Sequence, residues 1–416
     1  MKQNTTYKQT ELGLIPEDWE VKEVKKIAKI YDGTHSTPNY VDYGIPFYSV
    51  EHITSNNFKN TKFISEEVFF NENKRVKLER GDILMSRIGD IGTAKYIDWD
   101  VNASFYVTLA LFKKITEKID FKFITFSINS SVFAKELHKR TLHVAFPKKI
   151  NLGDIGKCKI PLPPLPEQKK IADCLSTWDV AIEKQNALIN ALTQRKKALM
   201  QQLLTGKKRL PGFSEEWKEV KLGSLGKTYN GLTGKTKEDF GEGKPFITYM
   251  NIFSNPKINI SNFEYVKMGV NENQNKAIYG DIFFTVSSET PNEVGMASVL
   301  LDEINDLYLN SFCFGFRLND FKNLLPEFSS YLFRNDLFRK DVYKLAQGST
   351  RFNLSKLELM KIKIKIPSLE EQTAIAEILA TADRELTLQK EKLAQLQTQK
   401  KGLMQVLLTG KKRLIN

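Results

Sequence analysis

Two long stretches of the chain carry apolar residues at alternating steps of four and three positions. They lie within residues 165–210 and 369–414. This seven-residue repeat is typical of a coiled-coil seam, whereas an ordinary amphipathic helix drifts away from a 3.5-residue period. The pattern predicts two helices of about 40 residues, each roughly 60 Å long. The seam positions are Ile171, Leu175, Trp178, Ile182, Gln185, Ile189, Leu192, Lys196, Leu199 and Leu203 in the first helix, and Ile375, Leu379, Ala382, Leu386, Gln389, Leu393, Leu396, Lys400, Leu403 and Leu407 in the second.

Residues at the ends of both stretches support helices of this length. Ser368 and Glu371 form a capping-box pattern at the start of the second helix, where the first helix has a proline-rich turn at 163–166. Gly206 and Gly410 follow the last apolar positions, where a left-handed residue commonly ends a helix.

The two stretches are copies of each other. They begin with LPEQ at 165–168 and LEEQ at 369–372 and end with LLTGKKRL, they align without a gap, and about half of the positions are identical. The duplication continues outside the helices, because Gly81-Asp82-Ile83-Leu84 resembles Gly280-Asp281-Ile282-Phe283. Elsewhere the two halves diverge strongly, so they share a framework but not a surface.

The repeat predicts a domain order and a helix direction. The first helix delivers the chain to the second globular domain and the second helix leaves that domain, so full-length pairing requires antiparallel helices related by a pseudo-two-fold axis. Gln185 and Gln389 occupy equivalent seam positions, where they either face each other and set the register or remain exposed to solvent. The predicted segments are a globular domain at 1–155, a coiled-coil helix at 156–208, a second globular domain at 209–362 and a second helix at 363–416.

Each globular domain is predicted to be α+β. Strand-like patterns occur at 45–50, 106–112 and 312–316. A helical pattern lies near the end of each domain, at 123–140 and 325–345.

Composition and charge narrow the function. Hydrophobic residues make up 41 % and charged residues 27 % of the 416-residue chain, which is typical of globular proteins. No apolar run is long enough to cross a membrane and the N-terminus does not resemble a signal peptide, so we expect a cytoplasmic protein without a membrane partner. The net charge of +13 favours a polyanionic partner such as nucleic acid. The three cysteines and four histidines do not have the spacing of a disulfide framework or a metal site.

Several loops combine glycine, hydroxyl residues and a basic residue, a composition suited to DNA contacts. For any single loop a solvated turn is an equally good interpretation, but such loops recur in both halves. The candidate DNA-contacting residues are Thr34, His35, Ser36, Thr37, Ser86, Arg87, Arg140, Thr141 and His143 in the first half, and Thr233, Lys235, Ser287, Ser288, Ser349, Thr350 and Arg351 in the second.

Two glycine-rich fragments, at 223–228 and 231–236, imitate a nucleotide-binding loop. Each has two residues between its glycines, where a P-loop requires four to wrap a phosphate. The sequence shows no Rossmann fingerprint, nucleophile motif or carboxylate cluster, so we expect no catalytic residues and no metal.

Two divergent globular domains, each followed by a similar helix, resemble the specificity subunits of type I restriction–modification enzymes. The resemblance covers essentially the whole chain and is most specific at 163–168, 367–372 and the helices that follow. The IPEDW segment at 15–19 and the DGTHSTP loop at 32–38 also look like family features, although the second half lacks the histidine and proline of that loop.

The resemblance implies that each globular domain is a target recognition domain for one half of a split DNA site. The helices would set the spacing and dock two modification subunits that carry S-adenosylmethionine and methylate adenine. Restriction subunits would supply ATP- and Mg-dependent translocation and cleavage, and this chain would bind no cofactor. Two recognition domains that contact the same face of DNA lie one helical turn, ~34 Å, apart.

Three other functions remain as alternatives. An autonomous DNA-binding regulator would bind its site tightly without partner subunits. A nuclease or NTPase is disfavoured by the incomplete phosphate loops. A pure coiled-coil scaffold would leave the divergence of the globular halves unexplained.

Overall fold

A computed structural model describes residues 6–415 and divides them into two compact units. Unit 1 contains the described residues up to Asn186 together with those from Lys392 onwards, and unit 2 is Ala187–Glu391. Each long helix therefore contributes one end to each unit. No helix in the described range is long and apolar enough to span a bilayer.

Unit 1 contains eleven strands, five short helices and the start of the first long helix. The strands β1–β11 are Tyr7–Thr10, Gly13–Pro16, Glu20–Glu23, Ala28–Asp32, Ile45–Tyr48, Lys62–Ile64, Ile83–Ser86, Ala94–Tyr96, Ser104–Phe105, Leu109–Lys114 and Lys159–Leu162. The helices α1–α6 are Val50–Ser55, Glu66–Asn73, Phe121–Ile128, Ser131–Arg140, Leu152–Gly156 and Leu165–Leu203, with a 3-10 turn at Val24–Lys26.

Unit 2 contains twelve strands, five short helices and the start of the second long helix. The strands β12–β23 are Lys218–Lys221, Gly226–Asn230, Phe240–Ile247, Glu264–Val266, Ile282–Thr285, Ser287–Ser288, Ala297–Val299, Tyr308–Leu309, Cys313–Leu318, Ala346–Gln347, Phe352–Leu354 and Lys363–Ile366. The helices α7–α12 are Leu222–Leu225, Tyr249–Ser254, Pro326–Leu332, Asp336–Lys344, Lys356–Leu359 and Leu369–Leu407, with 3-10 turns at Lys237–Asp239 and Pro291–Glu293.

The two units share three equivalent sheets, and each has one further sheet of its own, β1-β2 in unit 1 and β17-β22-β21 in unit 2. A four-stranded antiparallel sheet has the order β4-β10-β7-β8 in unit 1 and β13-β20-β16-β18 in unit 2, and a three-stranded sheet has the order β6-β5-β9 or β15-β14-β19. In both units a further strand pair joins the start of the domain to the strand that precedes the long helix, β3-β11 and β12-β23. The predicted α+β class and the internal repeat are confirmed.

Within each unit the start of one long helix lies beside the end of the other. In unit 1 Glu167, near the start of α6, pairs with Arg413, and Asp179, further along α6, pairs with the earlier residue Lys400. Because the order of the partners is reversed, the two segments run in opposite directions. In unit 2 Lys196 pairs with Asp383 in the equivalent way. The antiparallel prediction is therefore confirmed in both units.

The residues at the predicted seam positions face inward from these helices. None of the twenty predicted positions is exposed, and Ile171, Leu175 and Leu407 join the core of unit 1 while Leu203 and Leu379 join that of unit 2. Gln185 is buried and Gln389 half-buried. Their predicted role in setting the register stays a prediction.

A repeated cluster, here called the Glu–Trp–Arg clasp, joins the domain start to the long helices. In unit 1 Glu167 accepts hydrogen bonds from Trp19 Nε1 at 3.1 Å and Arg413 Nε at 2.7 Å. Arg413 also pairs with Asp18, so the C-terminal LTGKKRL segment is bound to the first domain.

In unit 2 the clasp is made by Glu371, Trp217 and Arg209. Trp217 Nε1 donates to Glu371 at 3.2 Å, and Arg209 binds both carboxylate oxygens at 2.8 Å. The repeated Glu, Trp and Arg residues are thus explained by the framework and do not require a role in DNA contact.

The glutamine after each clasp glutamate completes the helix start. Gln168 accepts from the main-chain N–H of Asp120 and donates to the carbonyl of Pro163, at 2.9 and 2.8 Å. Gln372 makes the same pair of contacts with Leu325 and Pro367, at 2.9 and 3.0 Å. The amide side chain therefore satisfies backbone groups that the turn into the helix leaves unpaired.

Several predicted element bounds were wrong, and a capping residue divides each of the two predicted helices. The strand expected at 45–50 ends at Tyr48, and Val50 begins α1. The strand expected at 106–112 occupies Leu109–Lys114. The helices expected at 123–140 and 325–345 are each two helices, since Ser130 and Asn335 cap the second one by accepting from a main-chain N–H.

Candidate nucleic-acid interface

The first candidate loop of unit 1, residues 33–38, is held by Asp32 at the end of β4. Its carboxylate accepts from Arg75, lies 2.9 Å from His35 Nε2 and is 3.6 Å from Arg87 Nη1. Burial opposes ionisation of Asp32, but hydrogen bonds from Arg75 and His35 lower its pKa below the usual value. Asp32 is therefore an anion at neutral pH that gathers three basic side chains, of which His35 is the most exposed.

Close packing fixes the conformation of the same loop. A Cβ at Gly33 would lie 1.9 Å from a carbonyl oxygen of β9, so only glycine fits there. Thr34 is buried and its hydroxyl donates to the carbonyl of Ser36 at 3.2 Å. Thr37 lies 3.2 Å from the Tyr106 hydroxyl. Of the four residues predicted to contact DNA in this loop, His35, Ser36 and Thr37 face solvent.

The second candidate loop begins with two buried residues, Ser86 and Arg87. Ser86 donates to Asp90 at 2.7 Å. Arg87 donates to the carbonyls of Val107 at 2.9 Å and Ile150 at 3.2 Å, and burial lowers its pKa. Because Arg87 also lies beside Asp32, it joins all three candidate loops of unit 1 at one place.

The third candidate loop continues from α4. Arg140 pairs with Glu136 at 2.9 Å, and the Thr141 hydroxyl donates to a main-chain carbonyl one turn earlier in α4 at 2.8 Å. His143 Nε2 lies 2.9 Å from the carbonyl of His138, and the two imidazole rings are 4.4 Å apart. These contacts hold the three predicted residues against the helix end.

The same loop forms a hairpin with an apolar apex, whose residues are not among the predicted DNA contacts. Leu142 and Lys149 pair across its base, and Lys149 also pairs with Ile88 of the second loop. Beyond this base, Val144 and Phe146 are fully exposed. The signal was present in the sequence, because VAF directly precedes a proline and two lysines.

The glycine-rich loop of unit 2 is organised by amide and ion-pair contacts. Thr233 and Gln274 exchange main-chain and side-chain hydrogen bonds at 3.1 and 2.8 Å. Lys235 pairs with Glu272 at 2.5 Å, and the Gly269 N–H and the Lys235 ammonium lower the pKa of Glu272 to about 2. Only 9 % of the Lys235 side chain is exposed, and Glu272 neutralises its charge within the protein.

A second group of candidates in unit 2 lies together. Arg351 Nε donates to the Ser287 hydroxyl at 3.2 Å, and the Ser288 hydroxyl donates to Glu293 at 3.2 Å. These residues border an open pocket of about 340 Å³ with aromatic walls. Its lining residues are Tyr249, Met250, Phe253, Ser287, Ser288, Glu289, Glu293, Phe312 and Arg351.

The last candidate loop of unit 2 is a tight polar turn between β21 and β22. Gly348 has φ +134°, and a Cβ there would lie 2.1 Å from the carbonyl oxygen of Arg351. Ser349 and Thr350 are exposed at the turn. Ser287 pairs with β22, so this turn and the pocket form one surface, whereas Thr233 and Lys235 contact the separate segment 267–274.

The two fragments that imitate nucleotide-binding loops have structural roles. Residues 222–225 form α7, and Gly226 begins β13 opposite Leu318. The second fragment carries the Lys235–Glu272 ion pair described above.

The three cysteines are not joined in disulfides. Cys158, Cys174 and Cys313 are free thiols, and burial raises the pKa of Cys158 to about 12. Among residues 6–415 the structure contains no group of three or more His, Cys, Asp or Glu side chains that could hold a metal ion.

Comparison with known proteins supports the arrangement. The family model for the "Type I restriction modification DNA specificity domain" matches residues 16–194 and 214–398, one match for each repeat. A putative type I restriction enzyme MjaX specificity subunit of Methanocaldococcus jannaschii is 28 % identical, with 98 % of this chain and 97 % of the relative covered. The EcoKI specificity subunit of Escherichia coli is 23 % identical, with 87 % and 82 % covered.

Solved structures share the fold. The type I restriction–modification S subunit from M. genitalium superposes with a TM-score of 0.58 at 16 % identity, covering 98 % of this chain and 97 % of that one. A chain from a structural study of type I complex assembly has a TM-score of 0.60 at 16 % identity, covering 95 % and 99 %. Because the family model matches both repeats and most of the sequence, the chain belongs to the type I restriction–modification DNA specificity family.

Proposed function

We propose that this chain is the DNA-reading, non-catalytic subunit of a type I restriction–modification complex. The target recognition domains are residues 1–155 and 209–362, and each reads one half of a bipartite site. The observation that carries the proposal is that the two units share three equivalent sheets and one clasp but carry different loops at equivalent places. A common framework with two different surfaces suits an asymmetric two-part site.

The helices at 156–208 and 363–416 set the distance between the half-sites and dock two modification subunits. Antiparallel packing in each unit and seam positions that are all buried or half-buried support this role as a spacer. The partner subunits supply S-adenosylmethionine and, on the restriction subunits, ATP and Mg. The protein acts in the cytoplasm, where its DNA substrate is found.

DNA contacts are proposed for the exposed members of the candidate loops. The exposed members are His35, Ser36, Thr37 and His143 in unit 1 and Thr233, Ser349, Thr350 and Arg351 in unit 2, and they adjoin well-anchored backbone. The net charge of +13 supplies the attraction to phosphates. Arg87 and Lys235, which are bound within the protein, would act mainly by holding the loops in place.

The test is to co-express the chain with a type I modification subunit and map methylated adenines in the host genome by long-read sequencing. We expect a new two-part motif with a fixed gap that is absent without this chain. Replacing residues 1–155 with the corresponding domain of a relative should change one half of that motif only. Association without any new motif would contradict the reading role, and failure to associate would favour an autonomous DNA-binding regulator.

A further inference from the structure

We propose that the hairpin apex of unit 1 is an apolar wedge that inserts Phe146 between two base pairs of the half-site read by that unit. This inference rests on the proposed function and adds a DNA distortion to it. Val144 and Phe146 stand fully exposed at the apex of one hairpin. A phenyl ring has the size and shape to replace the stacking partner of a base pair, and proteins that kink DNA insert such side chains between base steps.

The hairpin has the fixed base that a wedge requires. Leu142 N–H donates to the carbonyl of Lys149 at 2.8 Å, and Gly89 N–H donates to the carbonyl of Lys148 at 2.8 Å. The base is therefore joined to the second candidate loop, which Arg87 in turn ties to the protein interior. A ring presented on a fixed base loses little conformational freedom when it enters DNA.

The charges around the apex favour DNA over a protein partner. Residues 137–153 contain four Lys or Arg residues and two His, but no Asp or Glu. The nearest buried acid on α4, Glu136, is neutralised by Lys139 and Arg140. Lys148 and Lys149 directly follow the apex, where they can contact the phosphates on either side of an opened base step.

The size of the apex leads to the same conclusion. Two adjacent apolar side chains are far smaller than the roughly 800 Å² per partner of a stable protein interface. They do match the small gap between unstacked base pairs. The equivalent turn of unit 2 carries only Gly348, Ser349 and Thr350 at its apex, so the distortion is confined to one half-site.

The wedge can be tested with the assembled complex and a duplex that carries the motif mapped by methylome sequencing. Phe146→Trp places an indole at the apex, and stacking in DNA should quench its fluorescence on that duplex but not on a scrambled one. Phe146→Ala should weaken binding of the duplex about tenfold, the usual scale for loss of one aromatic–base stack.

A series of duplexes with 2-aminopurine at successive half-site positions should locate one unstacked base step. The fluorescence increase at that step should be visible with the unaltered protein and lost with Phe146→Ala.

Phe70 provides the matched control. It is also exposed, but it lies on α2 among Glu66, Glu67 and Glu72, which repel DNA. Phe70→Trp should show no quenching, and Phe70→Ala should bind like the unaltered protein.

The outcomes separate the wedge from the function on which it rests. A mapped motif with normal binding by Phe146→Ala and an unquenched Phe146→Trp would overturn the wedge and leave the reading function intact. Loss of modification-subunit association in Phe146→Ala, with DNA affinity retained, would show that the apex docks protein instead. Absence of any motif would overturn the reading function and the wedge together.

Discussion

The two units have almost the same interior and clearly different loops. In each, a buried glutamate at the start of a long helix binds a tryptophan from the domain start and an arginine that follows the other long helix. The loops that follow equivalent strands differ in length, charge and apolar content. The comparison shows that residues retained in both copies serve the framework, and that DNA-reading residues are to be sought where the copies differ.

The difference is sharpest at the last loop of each domain. Unit 1 has a hairpin with Phe146 at its apex, whereas unit 2 has a tight turn at Gly348 beside an aromatic-walled pocket. In unit 1 Arg87 is buried and links three loops, whereas in unit 2 the exposed Arg351 lies at the pocket edge. The same framework therefore presents a protruding surface in one unit and a recessed one in the other.

The largest effect is expected from breaking the clasp. Glu167→Ala removes the buried carboxylate that binds Trp19 and the largely buried side chain of Arg413. Because Arg413 then keeps only Asp18, this change should lower the free energy of unfolding by about 3 kcal/mol. Glu371→Ala leaves the more exposed Arg209 without its partner and should lower it less. Urea unfolding followed by circular dichroism would measure this. Glu219→Ala, which breaks the exposed pair with Lys363, is the control and should change little. Equal stability of the clasp variants and the control would show that the repeated glutamates are not structural.

Substitution of the two candidate arginines, Arg351 and Arg87, should distinguish an effect on DNA binding from an effect on stability. Arg351→Ala should weaken binding of the mapped site by about 1–3 kcal/mol if the guanidinium contacts a base, without loss of stability. Arg87→Ala should weaken binding and also lower the melting temperature, because it leaves the carbonyls of Val107 and Ile150 without their donor. Titration of labelled duplexes and thermal unfolding measure the two effects. Unchanged binding in both variants would eliminate both arginines as contributors to DNA recognition.

A smaller loss of stability is expected when the tryptophan N–H donors of the clasp are removed. Trp19→Phe and Trp217→Phe keep the aromatic ring but remove the N–H that binds a carboxylate, at a cost of about 1.5 kcal/mol. We expect a larger loss for Trp19, which is fully buried, than for Trp217, which is half-buried. The midpoint of urea unfolding of each variant gives the comparison, and a greater loss for Trp217 would contradict it.

The smallest effect concerns the equivalent aspartates of the two long helices. Asp179→Asn loses the ion pair with Lys400, and we expect a change of a few tenths of a kcal/mol. Asp383→Asn loses the ion pair with Lys196 and leaves one amide oxygen where two carboxylate oxygens accept from Lys196 and from the Tyr331 hydroxyl, so about 1 kcal/mol is expected. Identical melting temperatures for the two variants would remove this asymmetry between the units.

Local sequence patterns were sufficient for the parts of the fold that repeat with a short period. The heptad spacing of Leu175, Leu192 and their equivalents predicted the long helices and their buried side, and Gly206 and Gly410 marked the ends with φ +67° and +69°. The domain order and the antiparallel direction followed from the duplication. Bounds within the domains were less predictable, since a single capping residue such as Ser130 divides an apparently continuous helix.

For the candidate site, the sequence identified the loops but not the state of their side chains. Arg87, Lys235 and Arg351 looked alike as basic residues in glycine-containing loops. Folding places Arg87 against two carbonyls, pairs Lys235 with Glu272 and leaves Arg351 exposed. Each partner is distant in sequence, so no local pattern could distinguish the three roles.

By itself, the sequence determined the two-part organisation, the α+β class, the long helices and the family, because these depend on repeats and periodicities that are readable along the chain. Only the tertiary structure decided that the repeated Glu, Trp and Arg form a clasp, that Asp32 gathers three basic side chains, and that Phe146 remains exposed on a fixed base. These features arise from contacts between residues far apart in the chain. Burial and pairing, which depend on those contacts, determine whether a charged or aromatic side chain supports the fold or is available to bind DNA.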